Sequence, residues 1–462
     1  MFDSKTYAKR RQTLRRTLGS GIALFLGNDD SPMNYAANGY HFRQDSSFLY
    51  FFGLDSPGLA AAVDVEAGHD VLFGDDIEIE DIIWMGFLPT IKERAAEVGV
   101  KETRPAKALA AYLQDAAAKG RTVHILPPYR AEHRLKLQDL LGIPPAEAKG
   151  RASAALVKAV VAQRSIKSDE EVAEIEAALK TTYKMYETAM RMAQPGVYEH
   201  AIAGRIDGIA MADGGATAFP TILTVNGQIL HNHGHANKLA KGRLLVVDSG
   251  AESLLHYAAD ITRTIPVGGK FTPRQKDIYE IVLAANTAAI KFAKPGLPYK
   301  EVHLLAARIV VDGLKDLGLM KGDPAEAVAK GAHALFFPHG LGHMLGLDVH
   351  DMENLGENNV GYDPSVERSP QFGLAYLRMA RPLEPGHVMT VEPGIYFIPA
   401  LIDKWKVEKT NLDFVAFDKL EKYRGFGGVR IEDDILITRD GVRVLGRLIP
   451  KTAAQVEAAA TI

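Results

Sequence analysis

The sequence predicts an α+β protein in two parts: a smaller α/β domain over residues 1–163, then a larger domain over 164–462 that uses one helix–helix–strands unit twice. Three observations carry this. Two helices with the same capping signature begin roughly a hundred residues apart. Each is followed by a second helical stretch. Each half then supplies a pair of apolar strands bearing carboxylates.

In chain order, IALFLG (22–27) and AAAVDV (60–65) have the apolar content of strands, and GDDIEIED (74–81) reads as a solvated strand edge or turn. RPAKALAAYLQDAAAKG (104–120) reads as a helix ended by glycine. In the second part, Ser168 and Glu171 have the spacing at which each side chain satisfies the other's backbone N–H. Val172, Ile175, Leu179, Tyr183, Tyr186 and Met190 follow on one face, and Pro195-Gly196 stops the helix. The pattern returns with Thr272, Pro273 at the first helical position and Gln275, an apolar stripe from Ile278 to Phe292, and Pro295-Gly296. Further helices are expected over 199–212 and 299–317. LLVVDSG (244–250) matches HVMTVEPG (387–394), and YAADITRTI (257–265) matches GVRIEDDILI (428–437), each pair as a strand carrying a carboxylate.

Composition narrows the function. A chain of 462 residues, at roughly 150 per domain, suggests two to four domains, and 47% hydrophobic with 24% charged residues is ordinary for a globular protein. The 54 basic and 57 acidic side chains leave a net charge of −3, so nothing favours nucleic acid or an anionic membrane as partner. Cysteine is absent, which excludes disulfides, thiolate zinc sites and a cysteine nucleophile. No uncharged apolar run reaches membrane-spanning length. The charged start MFDSKTYAKRR lacks a signal-peptide core, so a cytoplasmic location is expected.

The duplication brings four acids, Asp248, Asp260, Glu392 and Glu432, toward a pseudo-twofold axis. Four buried carboxylates repel, so protons or divalent cations must offset them. Between the two pairs, FPHGLGHMLGLDVHDME (337–353) carries His339, His343 and His350. The first two have an i, i+4 spacing, but the intervening Gly-Leu-Gly discourages a helix and lacks the glutamate of a helical zinc pair. Four carboxylates and one imidazole suit two Mn²⁺, Co²⁺ or Zn²⁺ ions. Two such ions about 3.5–4 Å apart polarise a carbonyl and activate water near neutral pH, which points to hydrolysis.

VVDSGAESLLHYAADITRTIPV, HGLGHMLGLDVHD, TVEPGIYF and RIEDDILIT resemble the four signature segments of the prolidase and aminopeptidase P family, the pita-bread metallopeptidases, and HFRQDSSFLYFFGL (41–54) resembles that family's N-terminal domain. The resemblance implies that Asp248, Asp260, His343, Glu392 and Glu432 bind two metal ions, most simply Mn²⁺, with Asp260 and Glu432 bridging and Glu392 also handling the proton of the attacking water. It implies that His339 and His350 contact substrate and stabilise the tetrahedral intermediate, that His231 is a further substrate-side histidine, and that Arg430 holds the metal carboxylates. It also implies that Trp84 can reach a partner subunit's site, in a dimer or tetramer formed through the N-terminal domain. His233 and His235 have no counterpart. The Asp248–Asp260 spacing of 12 is one longer than the family's, and a bulge absorbing the extra residue would leave both aspartates on one side.

The implied substrates are peptides beginning Xaa-Pro. Their scissile bond is a tertiary amide without an N–H, so a two-metal site that polarises the carbonyl suits it. A dipeptide enzyme must also recognise the proline carboxylate, which arginine does with a bidentate fork. FGLAYLRMARPLEPG (372–386) resembles the dipeptidase version, with Arg378 at the carboxylate-binding place, and the segment 400–428 is prolidase-like in place and length. HFRQDSSF is nearer to aminopeptidase P, which acts on longer peptides. The dipeptidase is the favoured reading. An aspartic protease would need a second Asp-Ser-Gly motif or a short chain that dimerises; a non-catalytic or creatinase-like member of the fold lacks the ligand set present here.

Overall fold

The computed structural model describes residues 1–460, which form two compact units: Met1–Arg164 with Glu353–Asn359, and Ser165–Met352 with the described residues from Val360 on. The return of 353–359 to the first unit has no signature in the sequence.

The first unit is built on a five-stranded mixed sheet. Ile22–Leu26 lies between Ala60–Asp64, antiparallel, and Val123–His124, parallel; His69–Phe73 and Glu102–Arg104 extend the other edge. Ile22, Leu24, Ala62, Val71 and Phe73 pack against Leu109, Leu113 and Leu137 of the helices Ala108–Ala118 and Ala131–Leu141. Gly120, at φ +73, follows the first of these helices. Asp64 ends its strand by accepting from the Ala67 N–H at 2.9 Å, the Tyr112 hydroxyl at 2.8 Å and the guanidinium of Arg121. The acidic run 74–81 corrects the sequence reading. Its second half opens a helix, Ile79–Met85, because Glu78 and Asp81 form a capping box.

In the second unit the expected order recurs twice. Asp169–Met192 and Glu199–Ala212 precede an antiparallel sheet of Ile222–Thr224, Leu244–Ser249 and Ile261–Pro266. Pro273–Phe292 and Tyr299–Asp316 precede a second one, ordered Val442–Val444, Asp433–Ile437, Val388–Val391. Ser168 with Glu171 and Thr272 with Gln275 both form reciprocal caps. Val172, Ile175, Leu179, Tyr186 and Met190 are buried along one face of the first long helix.

Two strand expectations need correction. Residues 428–437 are not one strand: Gly428–Arg430 pairs with Gly394–Tyr396, whereas Asp433–Ile437 pairs with Val388–Val391. The break falls at Glu432, whose N–H bonds the Thr262 carbonyl at 3.0 Å and so bridges the two halves. No bulge separates Asp248 from Asp260. Asp248 pairs with Thr262 and Glu252 still bridges Ala258, so the register is unbroken. The turn takes up the extra residue, with His256 at φ 66. Asp260 lies two residues from the partner of Asp248, so both point to the same face by strand alternation.

Candidate active site

The duplicated strands deliver their acids in corresponding places. Asp260 immediately precedes Ile261–Pro266, and Glu432 immediately precedes Asp433–Ile437. Asp248 is the penultimate residue of its strand, and Glu392 directly follows Val388–Val391. The loop carrying His343 runs along that last strand: the N–H groups of Leu345, Thr390 and Glu392 bond the carbonyls of Val388, His343 and Leu341 at 3.0, 3.0 and 2.8 Å. Gly342 is required here, because a β-carbon would stand 2.1 Å from the Thr390 carbonyl.

These elements bring five side chains together. His343 Nε2 is 3.4 Å from Asp260 and 3.7 Å from Glu392. Ligand atoms of Asp260, His343 and Glu432 lie within 4.8 Å of one another. Asp248 joins them through its charge, which acts on Asp260, Glu392 and Glu432. Burial and then mutual repulsion drive Asp260 and Glu432 far above the usual carboxylate range. Burial pushes Glu392 up to about 8, against the opposing charge of Arg430.

Around the acids runs a hydrogen-bonded shell centred on Arg430. Its guanidinium donates to Asp248 at 2.5 Å, to the Thr262 hydroxyl at 3.1 Å and to the Tyr396 hydroxyl at 2.9 Å. Thr262 donates onward to Glu432 at 2.7 Å. Tyr396 lies 2.9 Å from His339 Nε2, and His339 Nδ1 lies 2.8 Å from the Gly340 carbonyl. A carbonyl only accepts, so Nδ1 carries the proton and Nε2 accepts from tyrosine. Burial and the Arg430 charge lower His339 to about 3, so its ring is neutral. Both of its nitrogens are thus engaged within the protein.

The remaining residues are distributed as follows. The rings of His350 and His343 are 4.4 Å apart. His231 is on an exposed turn after Ile222–Thr224; desolvation and Arg430 lower its pKa, and His350 and Arg378 also act on it. Arg378 is half-buried, and its charge acts on His231, His339 and Glu392. Its backbone leaves no room for a β-carbon at Gly361, which would meet the Arg378 carbonyl at 1.8 Å. Trp84 sits in the first unit, 80% exposed, on Ile79–Met85, a helix with no buried residue. His233 and His235 fall in the segment after His231, and His235 Nδ1 is tied to the Leu223 carbonyl at 3.1 Å. Tyr396 and Thr262 were missed from sequence, although Tyr396 lies within TVEPGIYF and Thr262 two residues after Asp260.

The cluster fits divalent cations. One oxygen each of Asp248 and Asp260 is buried without a hydrogen-bond partner. His343 Nδ1 lies 3.0 Å from the Met344 carbonyl and must be the protonated nitrogen, so its Nε2 lone pair faces Asp260 and Glu392. Carboxylates that would otherwise be protonated, with an imidazole in the ligating tautomer, form an oxygen-rich donor set for borderline divalent metals.

Fold and site together define a metallohydrolase. The model of metallopeptidase family M24 matches residues 173–439, and that of the aminopeptidase P N-terminal domain matches 7–125. The chain belongs to metallopeptidase family M24 and is a metallopeptidase. It is 31% identical to a human Xaa-Pro dipeptidase over 95% of this chain and 88% of that one. It is 32% identical to a probable Xaa-Pro aminopeptidase of Fusarium vanettenii over 99% and 96% of the two chains. Aminopeptidase PepP of Pseudomonas aeruginosa superposes with a TM-score of 0.81 at 30% identity, covering 100% of this chain and 98% of that one. A zinc-substituted Escherichia coli aminopeptidase P in complex with product gives 0.81 at 31% identity, with the same coverage. No described helix is long and apolar enough to cross a membrane.

Proposed function

We propose that this chain is a cytoplasmic, dinuclear Xaa-Pro dipeptidase, active as a homo-oligomer. Asp248, Asp260, His343, Glu392 and Glu432 would hold the two ions, Mn²⁺ in the first instance and Co²⁺ or Zn²⁺ as alternatives. When bound, the ions supply a Lewis acid for the scissile carbonyl and ease deprotonation of the attacking water.

The chain's own groups do the rest. Glu392 accepts the proton of the attacking water and returns it to the proline nitrogen, a secondary amine that must leave protonated. Arg430 holds Asp248 and Tyr396 in place by hydrogen bonds, and Tyr396 in turn orients His339 at the substrate side. His350 and His231 complete that wall and steady the negative charge that develops on the carbonyl oxygen. Arg378 receives the free carboxylate of the substrate's proline. The Ile79–Met85 helix, with Ile83, Trp84 and Met85 each more than 70% exposed, is the surface through which the first unit would meet a second copy.

The observation supporting a dipeptidase is the field of Arg378. A guanidinium whose charge acts on His231, His339 and Glu392 together supports the reading that Arg378 receives the carboxylate of a two-residue substrate. The Xaa-Pro aminopeptidase reading is supported by HFRQDSSF, by relatives named probable Xaa-Pro aminopeptidases at 32% identity, and by aminopeptidase P structures that match the entire chain at 30% identity. Rates on Ala-Pro, Gly-Pro and Ala-Pro-Ala with Mn²⁺, Co²⁺ or Zn²⁺ restored to the apo-protein decide between them. Faster turnover of the dipeptides is expected; preference for Ala-Pro-Ala would reverse the assignment.

A further inference from the structure

The linker entering the first long helix carries a lysine that no part of the catalytic scheme uses. Lys167 Nζ lies 2.8 Å from Asp351 Oδ2, and each side chain is only 1% exposed. Its backbone is anchored too, the N–H of Lys167 bonding the Gly386 carbonyl at 2.9 Å.

Asp351 directly follows His350 and organises the loop that presents it. Its N–H bonds the Met344 carbonyl at 2.9 Å, which ties the residue after His350 to the residue after His343. Its second oxygen accepts from the Asp348 N–H at 3.4 Å. A β-carbon on Gly346 would stand 2.6 Å from its carboxylate, so the loop is wrapped closely around this one group. Met352 then turns away at φ 64. The loop is thus closed around a buried carboxylate, and Lys167 is a buried cation that pairs with it. A buried carboxylate that loses a pairing cation shifts its position, which would loosen its bond to the Asp348 N–H and the loop wrapped around it.

We infer that Lys167 is a positioning residue that sets His350 through Asp351, and so tunes turnover from outside the site. This rests on the reading of His350 as a substrate-side group. It requires that Lys167 act on the reaction only while His350 is present.

The test is a double-mutant cycle on metal-loaded enzyme, with kcat and KM for Ala-Pro measured for wild type, Lys167→Met, His350→Ala and the double variant. Lys167→Met is expected to lower kcat by about ten- to hundredfold, the effect of displacing a group by about 1 Å, with KM within about threefold and metal content unchanged. In the His350→Ala background the same change is expected to cost less than about twofold. Equal losses in both backgrounds, no loss in wild type, or a loss that follows lost metal overturns the inference. If Lys167→Met does not fold, Lys167→Met/Asp351→Leu, which removes both members of the buried pair, enters the same cycle with the same criteria. A wild type inactive on every Xaa-Pro peptide sinks the functional reading instead. Hydrogen exchange over 344–352 then decides the inference by itself, with faster exchange in Lys167→Met expected and unchanged exchange overturning it.

Discussion

Replacing Arg378 by alanine separates the two candidate activities. The guanidinium is half-buried, held by a backbone that Gly361 allows to approach closely, and its field extends over His231, His339 and Glu392. A hydrogen bond to a charged group is worth about 1.5–3 kcal/mol. At about 1.36 kcal/mol per decade of rate, losing the proline carboxylate contact should lower kcat/KM for Ala-Pro by roughly ten- to hundredfold. Removing the cation also leaves Glu392 easier to protonate, but that penalty falls on every substrate alike. The ratio of Ala-Pro to Ala-Pro-Ala turnover therefore isolates the contact. Arg378→Lys, which keeps the charge and loses the fork, should recover only part of it. Equal losses on both substrates would refute the carboxylate role and with it the preference for dipeptides.

Two further perturbations probe the metal cluster and the first unit. Asp260→Asn and Glu432→Gln are each expected to lower kcat by at least about a thousandfold, on the scale of removing a group that acts with its neighbours as a unit; near-normal rates at equal metal content would exclude bridging roles. In the first unit, burial opposes the charge of Asp64, but Arg121, the Ala67 N–H and the Tyr112 hydroxyl hold its carboxyl below the usual range. A depressed carboxyl stabilises the fold above its unfolded pKa of about 3.9, and that contribution disappears as pH falls through the lower folded value. Asp64→Asn should therefore cost about 1–3 kcal/mol at pH 7, with the gap to wild type closing in acid. Denaturant titrations at several pH values measure this, and a gap independent of pH would contradict it.

Much of this architecture was legible because its signals are local. Ser168 with Glu171 and Thr272 with Gln275 announce helix starts within four residues, and the apolar stripes that follow name the buried faces. The four acids were legible for a different reason: a duplicated order of strands carries them to equivalent places. Which of the three histidines between them joins the cluster came from the family resemblance alone. What escaped depends on partners distant in sequence. The break at Glu432 is imposed by Thr262, some 170 residues earlier. Tyr396 earns its place only when Arg430 and His339 fold against it. Lys167 and Asp351 are separated by 184 positions, and neither alone looks buried on paper. The acidic run 74–81 misled because a capping box and a solvated turn share the same composition.

The central claim is that Asp248, Asp260, His343, Glu392 and Glu432 share two divalent cations. The most direct measurement is metal content per chain against activity while the apo-protein is titrated with Mn²⁺. Activity that rises to a plateau at two bound ions per chain, and that is lost when they are chelated, is the expected result. A fully active protein carrying no metal would contradict it.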